Sequence, residues 1–175
     1  ADGTKLVAAG NGYIYTSTDS GTNWTAQTNA PATSWVSVAS SADGTKLVAA
    51  DQTGAGSGGY IYTSTDSGTN WTAQTNAPAT YWNSVASSSD GTKLAAVDNY
   101  YGYIYTSADS GTNWTAQTSA PAARWQSVAS SSDGTNLVAI VFGGQIYTFG
   151  QSVKSVFSGQ AGVAVGAADD EVTRG

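Results

Sequence analysis

At 175 residues and a net charge of −6, the chain has the length of one domain of ordinary size. Its six basic residues are scattered singly (Lys5, Lys46, Lys93, Arg124, Lys154 and Arg174), which leaves no cationic cluster for a phosphate backbone and argues against nucleic acid as a partner. With no Cys and no His, disulfides, thiolate or imidazole metal sites and a Ser-His-Asp triad are excluded; no apolar run approaches the ~20 residues of a membrane span.

Charged residues make up 10% of the chain, and Gly, Ser, Thr and Ala fill the gap, yet six Trp and ten Tyr speak against disorder. The chain opens at Ala1 without Met, as a processed or trimmed chain does. An Asp-Gly-Thr turn at Asp2 leads into a first strand, and Gly12 to Thr33 then reads GYIYTSTDSGTNWTAQTNAPAT. Gly59 to Thr80 repeats it letter for letter, and Gly102 to Ala123 differs only at Ala108, Ser119 and Ala123. Trp24, Trp71 and Trp114 fall 47 and 43 residues apart, and Trp35, Trp82 and Trp125 keep the same spacing. Such a period is that of a four-stranded propeller blade.

Within one repeat, strand a spans Val36 to Ser40, b Lys46 to Ala50, c Tyr60 to Ser64 and d Asn70 to Thr75. Pro31, Pro78 and Pro121 fall in the d-to-a connections, where no ladder bond is lost. Leu137 to Phe142 is the longest apolar run and reads as a buried strand. The expected fold is therefore all-β: one β-propeller domain over 1–175, with blades at about 1–33, 34–80, 81–123 and 124–158. Because the chain starts at strand b, residues 159–175 are expected to supply a closing strand. Gly162 to Gly166 would stand in for the missing first strand a, and Ser152 to Phe157 for the fourth strand d. A fragment of a longer array, or an open edge completed by a neighbouring copy, are the alternatives to a closed ring.

Ser17 to Trp24 (STDSGTNW) resembles the Asp-box, or bacterial neuraminidase repeat, and Ser64 to Trp71 and Ser107 to Trp114 match it equally. The fourth unit, Tyr147-Thr148-Phe149-Gly150, lacks both the Asp and the Trp, so the resemblance covers about residues 1 to 148. It implies propeller architecture with structural roles for Asp19, Gly21 and Trp24, for Asp66, Gly68 and Trp71, and for Asp109, Gly111 and Trp114. It also implies that a sialidase would need an arginine triad. The chain has two Arg, and its one Glu is Glu171, so the triad cannot be built from one chain. One carboxylate per box is thin ligation for calcium, so no metal or other cofactor is expected.

Asp51 and Asp98 occupy equivalent positions after strand b, the one pair available to a glycosidase mechanism, and read more simply as turn residues. Asn23, Asn70 and Asn113 each open an Asn-Trp-Thr sequon, a glycosylation site on a secretory route and otherwise a turn residue. Diversity between copies concentrates in the b-to-c loops and beside the second Trp, on one rim of a propeller. This points to Tyr81, Trp82, Asp98, Tyr100, Tyr101 and Arg124 as a ligand-binding face, although Trp82 and its copies read first as core. The expected function is a non-catalytic structural or interaction module of a secreted or cell-surface protein, self-assembling into an oligomer or filament. The alternative is a lectin-like, carbohydrate-binding propeller using the aromatic rim.

Overall fold

Short apolar alternations between Asp-Gly and Ser-Gly turns generate an all-strand architecture. In the computed structural model, which describes residues 3–52, 58–150 and 154–157, no helix occurs among the described residues. The strands are β1 (Leu6–Ala9), β2 (Asn11–Gly12), β3 (Ile14–Ser17), β4 (Thr25–Ala26), β5 (Thr33–Ser40), β6 (Leu47–Asp51), β7 (Ile61–Ser64) and β8 (Thr72–Ala73). They continue with β9 (Trp82–Ser87), β10 (Leu94–Asp98), β11 (Ile104–Ser107), β12 (Thr115–Ala116), β13 (Trp125–Ser130), β14 (Leu137–Val141), β15 (Ile146–Phe149) and β16 (Lys154–Phe157). Four antiparallel sheets result: blade I with order β1-β3-β4, blade II with β2-β5-β6-β7-β8, blade III with β9 to β12 and blade IV with β13 to β16. The hairpin register repeats in all four, pairing Leu6 with Ser17, Leu47 with Ser64, Leu94 with Ser107 and Leu137 with Phe149.

Three details depart from the sequence reading. Strand β5 starts at Thr33 because its first residues pair with β2, a link that reappears as the bridges Gly59–Thr80 and Gly102–Ala123. Strand β8 is two residues long, not six, because the N–H of Asn70 bonds to the Asp66 carboxylate and the chain turns again where Ala77 N–H meets the Gln74 carbonyl. Strand β14 is not a buried strand: Val138 and Ile140 are exposed, and so is the adjoining Phe142. The expected closing strand at Gly162 to Gly166 lies outside the described residues.

Successive blades meet in three seams built on one plan. The side chains of each blade that point onward (Val48, Ala50 and Ile61 of blade II) pack on Trp82, Leu94 and Ala96 of the next. The other seams use Ile14 against Trp35 and Ala49, and Val97 and Ile104 against Trp125 and Ala139. Each buried Trp stands edge-on to a Tyr of its own blade, with centroids 5.1–5.2 Å apart. Polar bonds repeat with the same period. Asn29 and Asn76 donate to the carbonyls of Thr69 and Thr112, and Lys5 and Lys46 reach the hydroxyls of Ser67 and Ser110. Backbone bonds run from Ala42 to Ser89 and from Ser89 to Ser132.

The turn resembling the Asp-box is a closed hydrogen-bond unit. Asp66 accepts from Ser64 Oγ (2.8 Å), Asn70 N (2.9 Å) and Asn70 Nδ2 (2.7 Å), while Ser64 Oγ accepts from Gly68 N at 2.9 Å. Two consecutive residues, Ser67 (φ 60) and Gly68 (φ 90), take positive φ, which Gly tolerates and Ser adopts here because the unit holds it. The copies at Asp19 and Asp109 match, so the sequon asparagines Asn23, Asn70 and Asn113 are exposed and each spends its Nδ2 on the adjacent Asp. Where blade IV lacks the box, the seam opens. Cavities of about 10 Å³ beside Ser67 and Ser110 in the first two seams become about 510 Å³ in the third, lined by Thr106, Gln117, Leu137 and Phe149.

These turns set an acid limit on stability. The Asn23 N–H groups and Ser17 pull Asp19 from the usual 3.8 down to about 2, and the Ser88 hydroxyl and Thr92 N–H bring Asp90 to about 2. Asp43, Asp66, Asp109 and Asp133 are lowered by the same kinds of donor. A carboxylate with a folded-state pKa below its unfolded one stabilises the fold above the unfolded value, and that stabilisation fades as pH drops through the folded one. The melting temperature is therefore expected to stay flat from pH 7 to about 5 and to fall between about pH 4 and pH 2. A midpoint that falls instead between pH 7 and pH 5, followed by circular dichroism, contradicts this assignment.

Candidate functional site

The site grows from two positions in each of blades II, III and IV: the residue before the buried Trp, and the second residue of the b-to-c loop. Their backbones join through Gln52 N to Ser34 O, Asn99 N to Tyr81 O, and Phe142 N to Arg124 O, so the two variable segments of each blade share one face. In blades III and IV this face is the most elaborate. Tyr81 and Tyr100 lie 5.0 Å apart with rings tilted by 47°, and Tyr101 stands at 72° to Tyr100 with centroids 6.2 Å apart. Tyr100 and Tyr101 are each 68% exposed. The exposed Arg124 lays its guanidinium 5.1 Å from the centre of the Phe142 ring.

Beneath the tyrosines the loop is pinned. Asp98 accepts from Thr80 Oγ1 at 2.5 Å and from the Tyr100 N–H at 2.6 Å, and Tyr101 takes φ 55, a conformation uncommon for a bulky residue. Beside them three amides form a closed relay. Asn99 Nδ2 donates to Asn83 Oδ1 (3.3 Å), Gln126 Nε2 to Asn99 Oδ1 (3.2 Å), and Asn83 Nδ2 to the backbone carbonyl of Gln126 (2.5 Å). The result is a rigid shelf of aromatic faces next to amide groups and one cation.

Of the six residues expected on the rim, the structure brings Tyr81, Tyr100, Tyr101 and Arg124 to the surface and removes two. Trp82 is fully buried in the seam between blades II and III, because its ring fills the space that Val48, Ala50 and Ile61 leave. Asp98 is 5% exposed and holds the loop from beneath. Asp51 is buried likewise and accepts from Thr33 Oγ1 at 2.7 Å. In blade IV this pair is Ala123 and Val141, so hydroxyl and carboxylate disappear together. Asn83, Asn99, Gln126 and Phe142 were not foreseen as site residues. Variation at 83 and 126 was visible between repeats, but nothing in the sequence showed that these amides meet. Among the described residues, no group of three or more carboxylates is placed to hold a metal ion, and no helix is long and apolar enough to cross a membrane.

No protein-family model matches the chain, and no curated protein does. Solved structures do. YCF48 bound to a D1 peptide superposes with a TM-score of 0.65 at 19% identity, over 88% of this chain and 51% of that one. A nidogen/laminin complex gives 0.67 at 15% identity, over 87% and 61%. A GH74 enzyme of Niastella koreensis gives 0.64 at 22% identity, over 87% and 22%. The chain spans about half to three-fifths of the first two and less than a quarter of the enzyme. These structures are β-propellers, and the four antiparallel sheets of this chain share their fold.

Proposed function

We propose that the chain is a non-catalytic interaction module of a secreted or cell-surface protein and that it holds its partner on the rim of blades III and IV. The observation that carries this is the shelf itself: two tyrosines at 68% exposure on a loop fixed from below by Asp98. Exposed aromatic rings on a preorganised backbone lose little entropy on binding and make strong contact points. The similar propellers include one bound to a peptide and one in complex with laminin, which supports a protein or peptide partner. The carboxylates available for glycoside chemistry, Asp51 and Asp98, are tied to Thr33 and Thr80, which supports a binding role over turnover.

A second reading, a carbohydrate partner, is favoured by the tyrosine faces lying beside the Asn83, Asn99 and Gln126 amides. Sugar recognition combines stacking with such donors and acceptors. Both readings are tested by screening the whole chain and its Tyr100→Ala/Tyr101→Ala variant against synthetic glycan and cell-surface peptide arrays. The wild type is expected to bind one class, and the variant to lose about tenfold or more in affinity while its melting temperature stays within about 2 °C. Binding that is unchanged in the variant overturns the rim as the site.

A further inference from the structure

The three seams are copies of one interface, and each end of the chain carries one half of a fourth. On blade I, Leu6 is 38% exposed, whereas Leu47 and Leu94 at the same register are 5% and 6% exposed under a preceding blade. Trp24 is exposed where Trp71 and Trp114 are half-buried. A Cβ on Gly3 would meet nothing within 4 Å, while Gly44, Gly91 and Gly134 in the corresponding turns lie under Lys5, Lys46 and Lys93 of the blade before. The hydroxyl of Ser20 and the carbonyl of Thr22 sit at the positions where Ser67, Ser110, Thr69 and Thr112 accept bonds from the previous blade.

On blade IV the onward half is open. Val138 and Ile140 are 39% and 40% exposed, where Val48 and Ala50 of blade II are fully buried. Ile140 occupies the position of Ala9, Ala50 and Val97, residues that pack on the next blade's buried Trp. Blade I contributes no such Trp among the described residues, and the bulkier isoleucine suits that thinner partner. Among the described residues, no hydrophobic cluster joins the two half-interfaces within one chain.

Resting on the reading that this chain works by association, we propose that the open face of blade I receives blade IV of a second copy, head to tail. Two such contacts close a two-copy ring. The arc supports this stoichiometry: each copy turns through half to three-fifths of the propellers it superposes on (51% of the YCF48 chain, 61% of the nidogen-complex chain), so a second copy suffices to close the ring. The contact is heterologous but closes, which distinguishes it from a growing filament.

The test is the mass of the whole chain by light scattering and sedimentation velocity across a range of concentrations. Wild type is expected at twice the chain mass, with dissociation on dilution. Leu6→Glu and Ile140→Lys each alter an exposed residue, and each is expected to weaken the dimer by about tenfold or more while the monomer stays folded. Mixed together, the two variants are expected to recover the dimer, because one seam of the mixed pair is wild type on both sides. A symmetric contact gives no recovery. Asn136→Lys restores the lysine of the other blades opposite Ser20 and is expected to tighten the dimer about two- to fivefold.

A monomer at every concentration overturns the proposal, whether the blade I face stays empty or is covered within its own chain. Recovery failing on mixing, or particles growing with concentration, overturns it as well. Tyr100→Ala/Tyr101→Ala is expected to leave the dimer intact, so failure of the rim and failure of the seam are separate results.

Discussion

Replacing Trp82 with alanine is expected to cost about 3–5 kcal/mol, the range for deleting a buried aromatic, and to lower the melting temperature by roughly 6–20 °C. Trp82 is fully buried and belongs to two blades at once. It touches the Val48, Ala50 and Ile61 cluster of blade II and the Val85, Leu94 and Ala96 cluster of blade III. Its ring also stands edge-on to Tyr105, at 5.2 Å and 79°. Single blades of four short strands cannot bury an apolar face alone, so the seam residues carry the stability of the array. Trp24 supplies the control. It is an exposed indole on the open face of blade I, and Trp24→Ala is expected to cost under about 1.5 kcal/mol. Thermal and urea unfolding followed by circular dichroism, at a concentration where the chain is monomeric, read both. Equal costs for the two tryptophans would show that the seam is not where the fold is held.

The blade plan was legible because its signals are local. Asp-Gly turns, the Tyr-Ile-Tyr alternation and the repeat period all lie within one unit, and the structure places hairpins where they predict. Contacts between units were hidden. Lys46 in one repeat and Gly91 in the next read separately as a solvated charge and a turn glycine, and only the structure shows the lysine stem lying on the glycine. Trp82 reads first as core and Asp98 as a turn residue, and both also neighbour the variable positions of the rim. Which of these readings holds follows from the face of the strand each occupies and from what the next blade presents, and both are buried. One long-range signal was present. Thr33 with Asp51 and Thr80 with Asp98 become Ala123 with Val141, a paired change that marks a hydroxyl–carboxylate bond before any coordinates are seen.

The same logic makes a glycine pair diagnostic of the seams. Gly91 has φ 67, and a Cβ there would fall 2.7 Å from Lys46 Cβ and 3.2 Å from Ser41 Cβ, so alanine meets both backbone strain and the preceding blade. Left-handed backbone costs an alanine about 1–2 kcal/mol, and forcing a packed seam apart adds roughly 1–3 kcal/mol, so Gly91→Ala is expected to lose about 2–5 kcal/mol. Gly3 occupies the same turn of blade I at φ 77 with nothing within 4 Å, so Gly3→Ala should show only the backbone part, about 1–2 kcal/mol. Urea midpoints measured at a concentration where the chain is monomeric read both, and Gly91, whose turn is also tied by its N–H to the Ser88 carbonyl, is expected to lose the more. In a two-copy ring the Gly3 turn faces Asn136 of the second copy, as the Gly91 turn faces Lys46. Gly3→Ala is then expected to weaken the dimer beyond its small effect on the monomer, and a dimer indifferent to it would place blade IV elsewhere.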